Sequence, residues 1–328
     1  MKNKILAYLQ ENQEFVSGEA ISNRLGISRA AVWKHINGLK ESGYVIDAYP
    51  RKGYRLKEKP DILTAQALEE YITTKRIGRI IYHYEAIPST NHQAKIHATE
   101  DAPEGTVVIS EVQTAGKGRL GRKWESPSRK GIWMSIVLRP KIEPALVPKI
   151  TQIAAAAMIL AGQAMGFSFK VKWPNDIIYN EKKICGILTE MSGEMNRVYD
   201  VVLGIGVNVN QTLEDFPEDL REKASSIYME AGLKINRQKL CANILNAFER
   251  LYDDFLTEGV GEEAIAICKE HSILIGKRIF ITKGDTVFMA HVEDLNEQGE
   301  LIVKKEDGTF ESLISGEVSV RGEKGYLI

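Results

Sequence analysis

The sequence predicts a multidomain α/β protein: a small helical domain at the amino end, a central mixed sheet with helices, and an all-strand tail. Three observations carry this. At 328 residues the chain exceeds what one hydrophobic core usually serves. Apolar spacing is helical over residues 1–40, passes to strands interleaved with helices from residue 80, and alternates with period two over 272–328. Charge is uneven as well. Residues 1–60 hold eleven Lys/Arg against six Asp/Glu, a net +5, in a chain of net charge −1. A basic amino end on an acidic body predicts that this end alone meets a polyanion.

Residues 1–60 read as one domain. Ile5, Leu6 and Leu9 share a helical face. After Ser17-Gly18 a short helix turns Ile21 and Leu25 inward and ends at Gly26. Ser28 is a good N-cap for the next helix, in which Val32, Ile36 and Leu39 share one side and Arg29, Trp33, Lys34 and Asn37 the other. Two short strands follow around the basic turn Arg51-Lys52-Gly53. This is a winged helix-turn-helix. Ser28, Arg29 and Ala30 would approach base edges, and Arg51 and Lys52 of the wing would hold phosphates.

Residues 61–79 form a charged linker with a helix capped at Thr64, 80–271 a mixed α/β domain, and 272–328 a small antiparallel β-barrel. In the middle part, helices are expected near 90–99, 146–166, 213–230 and 236–257. A strand is expected within 169–178, stopped at Trp173-Pro174, with Asn175 and Asp176 in a turn. Strict βαβ alternation and a G-x-G-x-x-G turn are absent, which excludes a dinucleotide fold. The start breaks its apolar run at Gln10 and Glu11, so no leader peptide is expected. The apolar segment 150–167 is read as a buried helix rather than a membrane span. Cys185, Cys241 and Cys268 form no C-x-x-C pair, which predicts buried thiols in a reducing compartment and no metal ligands.

Three constellations carry chemistry. Gly116-Lys117-Gly118-Arg119-Leu120-Gly121-Arg122-Lys123-Trp124 alternates glycines with cations. From 115 to 131 there are six Lys/Arg and one acid, Glu125. Placed after a strand, this reads as a mobile loop that wraps an anion, with Trp124 packing on a base or lidding the site. It is no P-loop, since G-x-x-x-x-G-K-[ST] is absent. In the second constellation, Asn175 and Asp176 follow Trp173-Pro174, and Lys183 opens the next strand. Asn offers a donor and an acceptor to a base edge, and lysine a point cation to phosphate. Taken alone, Lys183 reads first as a solvated turn residue and only second as a phosphate contact. The third is Ser89-Thr90-Asn91, a helix cap whose hydroxyls and N–H groups can also hold a carbonyl or carboxylate.

Together these resemble the bacterial family of bifunctional biotin–protein ligases and biotin-operon repressors with an N-terminal winged helix. The matching stretches are STN at 89–91, QTAGKGRLGRKW at 113–124, KWPND at 172–176, KKICGIL at 182–188, GIGVNVN at 204–210, SRAAVWKHI at 28–36 and RKGYRL at 51–56. Lys117 stands where the family usually has Arg. The resemblance implies a core like those of class II aminoacyl-tRNA synthetases and lipoate ligases. It implies that biotin and ATP, with Mg²⁺, give biotinyl-5′-AMP and diphosphate. A lysine of the biotin carboxyl carrier protein of acetyl-CoA carboxylase then accepts the biotin. With the adenylate as corepressor, a homodimer would bind operator DNA and repress genes of biotin synthesis and transport, in the cytoplasm and away from any membrane. Lys117, Arg119 and Lys183 would supply the catalytic cations. Ser89, Thr90, Gln113, Gly118 and Arg119 would line the biotin site, and Trp124, Asn175 and Asn208 would stand nearer the adenylate. Asn91, Gly116, Arg122 and Asp176 would complete the site. A lipoate ligase and a biotin-sensing repressor with an inactive ligase domain are the rival readings. The glycine-loop spacing and the winged domain favour biotin, and the intact Lys183 favours catalysis.

Overall fold

Ser17 and Ser28, short polar residues ahead of apolar periods, cap two of the first three helices in the computed structural model of the chain. Their hydroxyls accept from Ala20 N at 3.0 Å and Ala31 N at 3.2 Å. The structure describes residues 1–12, 14–41, 43–58, 60–259, 261–315 and 318–322, and it divides into two units, Met1–Asp61 and Ile62–Ile328.

In the first unit, α1 (Lys2–Glu11), α2 (Gly18–Leu25) and α3 (Arg29–Glu41) pack Ile5, Leu9, Ile21, Val32, Ile36 and Leu39 into one core. Gly26, at φ 65°, closes α2. Strands β1 (Val45–Tyr49) and β2 (Gly53–Glu58) pair antiparallel. Gly53, at φ 105°, lets Val16 O approach so closely that a Cβ would lie 2.1 Å from it. That contact fixes the root of the wing.

The second unit opens with α4 (Ala65–Leu68), capped by Thr64. Its sheet has seven strands: β3 (Ile81–Tyr84), β4 (Val107–Ser110), β5 (Gly131–Leu138), β6 (Lys170–Lys172), β7 (Asp176–Tyr179), β8 (Lys182–Glu194) and β9 (Arg197–Asn208). The order is β3-β4-β5-β9-β8-β7-β6, with β3 and β4 parallel and the other pairs antiparallel. Helix α5 (Thr90–Thr99) packs on one face through Ala94 and Ala98 against Val108, Val137 and Val202. The residues between those, such as Ile109, Ile136 and Leu203, enter the large core. That core also holds α6 (Val147–Gln163), α8 (Arg237–Glu258) and α9 (Glu262–Glu270); the short α7 is Ile227–Ala231.

Three expectations change here. The segment 169–178 forms two antiparallel strands, β6 and β7, parted at the expected stop at Trp173-Pro174, although the second begins at Asp176, which was expected in the turn. The helix expected near 213–230 is two single 3₁₀ turns, 213–215 and 218–220, followed by α7. Pro217 interrupts it, and Ser226 caps a new start. Helix α9 was not expected. By length and composition Pro144–Gln163 suffices to cross a membrane, against the reading of 150–167 as too short and too polar, but 78% of its apolar window is buried inside the protein. All three cysteines are buried, which pushes the thiols of Cys241 and Cys268 up to about 12.

The tail is an antiparallel sheet of order β13-β12-β11-β10-β14, from β10 (Arg278–Lys283), β11 (Thr286–Leu295), β12 (Leu301–Lys305), β13 (Phe310–Leu313) and β14 (Val318–Gly322). β13 and β14 are its two edges, and among the described residues no pairing closes them into a barrel. Ile279, Ile281, Val292 and Val303 join the same core as the seven-stranded sheet.

Candidate active site

A cavity of about 610 Å³ opens on the α5 side of the seven-stranded sheet. Strand alternation explains why it exists. On β8 and β9 the positions facing it include Gly186, Gly204 and Gly206, so the sheet presents bare backbone there. A Cβ on Gly206 would lie 2.7 Å from Trp124 Nε1, and one on Gly186 would lie 2.9 Å from Trp124 Cζ3. The indole therefore rests directly on the sheet, edge-on to Trp133 at 6.4 Å. A Cβ on Gly204 would lie 2.1 Å from Asn91 Oδ1, so that glycine makes room for Asn91.

One wall is polar. Ser89 caps α5 and Thr90 and Asn91 begin it, all three buried. Thr90 N and Oγ1 both donate to Gln113 Oε1, at 2.8 and 3.1 Å, and Gln113 Nε2 donates to Ser126 Oγ at 3.0 Å. Ser135 Oγ donates to Asn91 Oδ1 at 2.6 Å, and Asn91 Nδ2 to Glu190 Oε2 at 2.7 Å. These bonds fix the donors and acceptors in place, which suits recognition of a small polar ring.

The cationic loop closes on itself. Trp124 N donates to Gly116 O at 2.9 Å and Gly118 N to Arg122 O at 2.7 Å, around a 3₁₀ turn at 119–121. Arg119 reaches from this turn to Asn175 Oδ1 at 3.1 Å and also donates to the Ser315 carbonyl of the tail. Burial pulls its pKa below the usual guanidinium value, Asp176 opposes that, and Arg122 adds to it. Lys183 Nζ lies 2.5 Å from Asp176 Oδ1 and 5.3 Å from the Trp124 ring centroid. It is 22% exposed, on a strand, so the reading of it as a solvated turn residue gives way. Lys117 is exposed and lies close enough to Glu190 to lower its pKa, though burial, which raises it, and bonds from Lys95 and Asn91 act more strongly.

The structure thus brings Ser89, Thr90, Asn91, Gln113, Lys117, Gly118 and Arg119 to one cavity with Arg122, Trp124, Asn175, Asp176, Lys183 and Asn208. Gly116 stands behind the wall, where a Cβ would lie 2.6 Å from Trp124 O. Sequence reasoning missed Lys172, buried on the wall, and the segment bearing Phe216, Leu220 and Lys223. Gly204 and Gly206 entered it only within the stretch 204–210, with no role of their own. Glycine at alternate strand positions, with Gly186 on the neighbouring strand, was the available signal.

In the first unit, Ser28, Arg29, Ala30, Trp33 and Lys34 are exposed at the start of α3 and along one side of it, and Asn37 is half-buried. Trp33 is 61% exposed, an unusual state for so large an apolar ring. Arg51 and Lys52 are exposed in the turn between β1 and β2.

Comparison with known proteins decides the family. A model described as the Biotin/lipoate A/B protein ligase family matches residues 84–208, one described as HTH domain matches 2–55, and one described as Biotin protein ligase C terminal domain matches 274–321. The Bifunctional ligase/repressor BirA of Bacillus subtilis is 39% identical over 308 residues, 94% of each chain. The chain belongs to the bifunctional biotin ligase/repressor family. Its ligase and repressor roles follow from that membership. The Escherichia coli BirA is 29% identical over 319 residues, covering 97% of this chain and 96% of that one. Among solved structures, biotin protein ligase from Aquifex aeolicus in complex with biotin and ATP superposes with a TM-score of 0.66. It is 26% identical, covering 75% of this chain and all of that one.

Proposed function

We propose that the chain activates biotin with ATP and passes it to a carrier lysine. A biotin carboxylate oxygen attacks the α-phosphorus and diphosphate leaves. The lysine amine of a biotin carboxyl carrier domain of acetyl-CoA carboxylase then attacks the acyl carbon, forming an amide and releasing AMP and a proton. The observation that carries this reading is the convergence of Arg119 and Lys183 on a cavity whose other wall is the Ser89–Thr90–Gln113 set. Two anionic reactants repel, and the in-line transfer needs fixed cations and positioning more than an enzyme nucleophile. Lys183 and Arg119 offset charge at the reacting phosphate, and Lys117 acts from the rim. Trp124, Asn175 and Asn208 stand on the nucleotide side. Mg²⁺ enters as MgATP, where it shields the triphosphate oxygens.

Incubation with biotin, MgATP and a carrier domain, followed by mass spectrometry, tests the reading: the acceptor lysine gains one biotinyl group. Arg119→Gly is expected to leak free adenylate, because the loop loses its tie to Asn175 and Ser315. Equal retention of the adenylate by mutant and wild type would remove Arg119 from the clamp.

The repressor role is carried by α3 and the wing on operator DNA, with the adenylate as corepressor and loop closure completing a dimer surface that sets two wings on a two-fold site. Both partners place the chain in the cytoplasm. Within this proposal the second unit divides at 271/272 into ligase domain and tail, 61–79 serves as linker, the core is kin to class II aminoacyl-tRNA synthetases, and the tail sheet is barrel-like with its two edges left open.

A further inference from the structure

Lys130 is the last residue of the cationic segment before β5, and its Nζ lies 2.7 and 2.6 Å from the two carboxylate oxygens of Asp215. The backbone repeats the link, since Asn210 N donates to Lys130 O at 2.6 Å. Both neighbours of Lys130 are anchored. Arg129 N donates to Glu111 O at 3.3 Å, and the buried Arg237 donates to Gly131 O at 2.8 Å. Lys130 therefore extends from a fixed root.

Asp215 also accepts from Thr212 N at 2.7 Å and Thr212 Oγ1 at 3.0 Å, which caps the single turn 213–215. Burial pushes its carboxyl pKa up, but the Lys130 and Thr212 hydrogen bonds outweigh burial and hold it below the usual value. The next residue, Phe216, is 5% exposed and faces the cavity, followed on the same wall by Leu220 and Ala224. Apart from Lys223 near its far end, this wall is apolar and aromatic, whereas the Ser89–Thr90–Gln113 wall is polar. A flat nucleobase suits the first, and a ring rich in donors and acceptors suits the second. The far end of the segment is clipped to the strand of Lys183: Lys183 N donates to Lys223 O and Ser225 N to Lys183 O, each at 3.0 Å.

We infer that Lys130 and Asp215 are positioning residues for the nucleotide: their ion pair holds the 209–226 segment, and with it Phe216, in register with the root of the cationic loop. This rests on the ligase reading above. The pair touches neither substrate; it sets the wall against which the base packs, so its loss weakens ATP and spares biotin.

Diphosphate release by the full chain, with ATP and biotin varied separately, tests this. Lys130→Met keeps the alkyl stem and the Thr212–Asp215 cap. It is expected to raise the KM for ATP about three- to fivefold, with kcat and the KM for biotin unchanged. Lys130→Arg keeps a cation in reach and retains wild-type values. Asp215→Asn keeps an oxygen for Thr212 and shows the same shift as Lys130→Met, and the double variant adds nothing further. An unchanged KM for ATP in Lys130→Met, or a parallel rise in the KM for biotin, overturns the inference while the ligase reading stands. Absence of biotin-dependent diphosphate release in the wild type overturns both, and is seen before any substitution is made.

Discussion

Lys183→Met is expected to slow adenylate formation by about 10²- to 10³-fold, the scale on which loss of one charge-stabilising donor acts at a transition state. The geometry sets that scale. Lys183 is mostly buried, its Nζ sits 2.5 Å from Asp176, and the same amine lies over the face of Trp124. Methionine keeps the stem and packing but removes the charge. It also leaves Asp176, 15% exposed, without its lysine, which on the proposed reading adds repulsion where charge accumulates. Lys183→Arg separates charge from shape: it keeps a cation but replaces a compact ammonium by a broad planar group, and recovers part of the rate. Biotin-dependent diphosphate release measures both variants, with thermal unfolding as the control for folding. A rate within tenfold of wild type in Lys183→Met would remove this lysine from the chemistry.

Arg237→Met costs about 3–5 kcal/mol of stability, read as a lowered urea midpoint at unchanged m-value. Glu111 and Arg237 are both fully buried, with Arg237 Nη1 2.9 Å from Glu111 Oε2. Glu111 Oε1 also accepts from Leu63 N at 3.0 Å and lies 3.1 Å from His83 Nε2. Substituting the arginine strands a buried anion. The double variant Glu111→Met/Arg237→Met is expected to lose less than either single change, since it removes both buried charges and strands neither. The acid limb gives an independent check. Burial raises the Glu111 carboxyl pKa, but His83, Arg237 and the Leu63 N–H outweigh it and the net value is lowered. A depressed carboxylate pKa contributes stability above the unfolded-state value and loses it as pH falls through the folded value. Glu111→Gln therefore flattens the fall in stability on acidification. A full acid limb in that variant would rule out Glu111 as its source.

Much of the helical unit was legible because its signals are local. Ser28 one residue ahead of α3, Gly26 after α2 and the 32/36/39 stripe each specify their element within a few residues. The cationic loop was legible for the same reason: glycines alternating with cations after a strand. Its internal closure was not, because the bond from Trp124 N to Gly116 O depends on the indole settling over Gly186 and Gly206, strands far away in sequence. The segment 213–230 misled the helix reading, since its apolar residues serve a cavity wall rather than a helical stripe. The period of a wall on an irregular segment is neither 2 nor 3.6.

Composition, period and local punctuation alone determined that a basic helical unit precedes an acidic α/β body, and singled out short stretches that converge on the cavity. Those properties reside in neighbouring residues and survive without a fold. Tertiary structure alone decided that Lys130 meets Asp215, 85 residues on, and that Glu111 meets Arg237, 126 residues on. Charged side chains of opposite sign are plentiful in any such chain, and only the order of strands in the sheet selects which of them become partners.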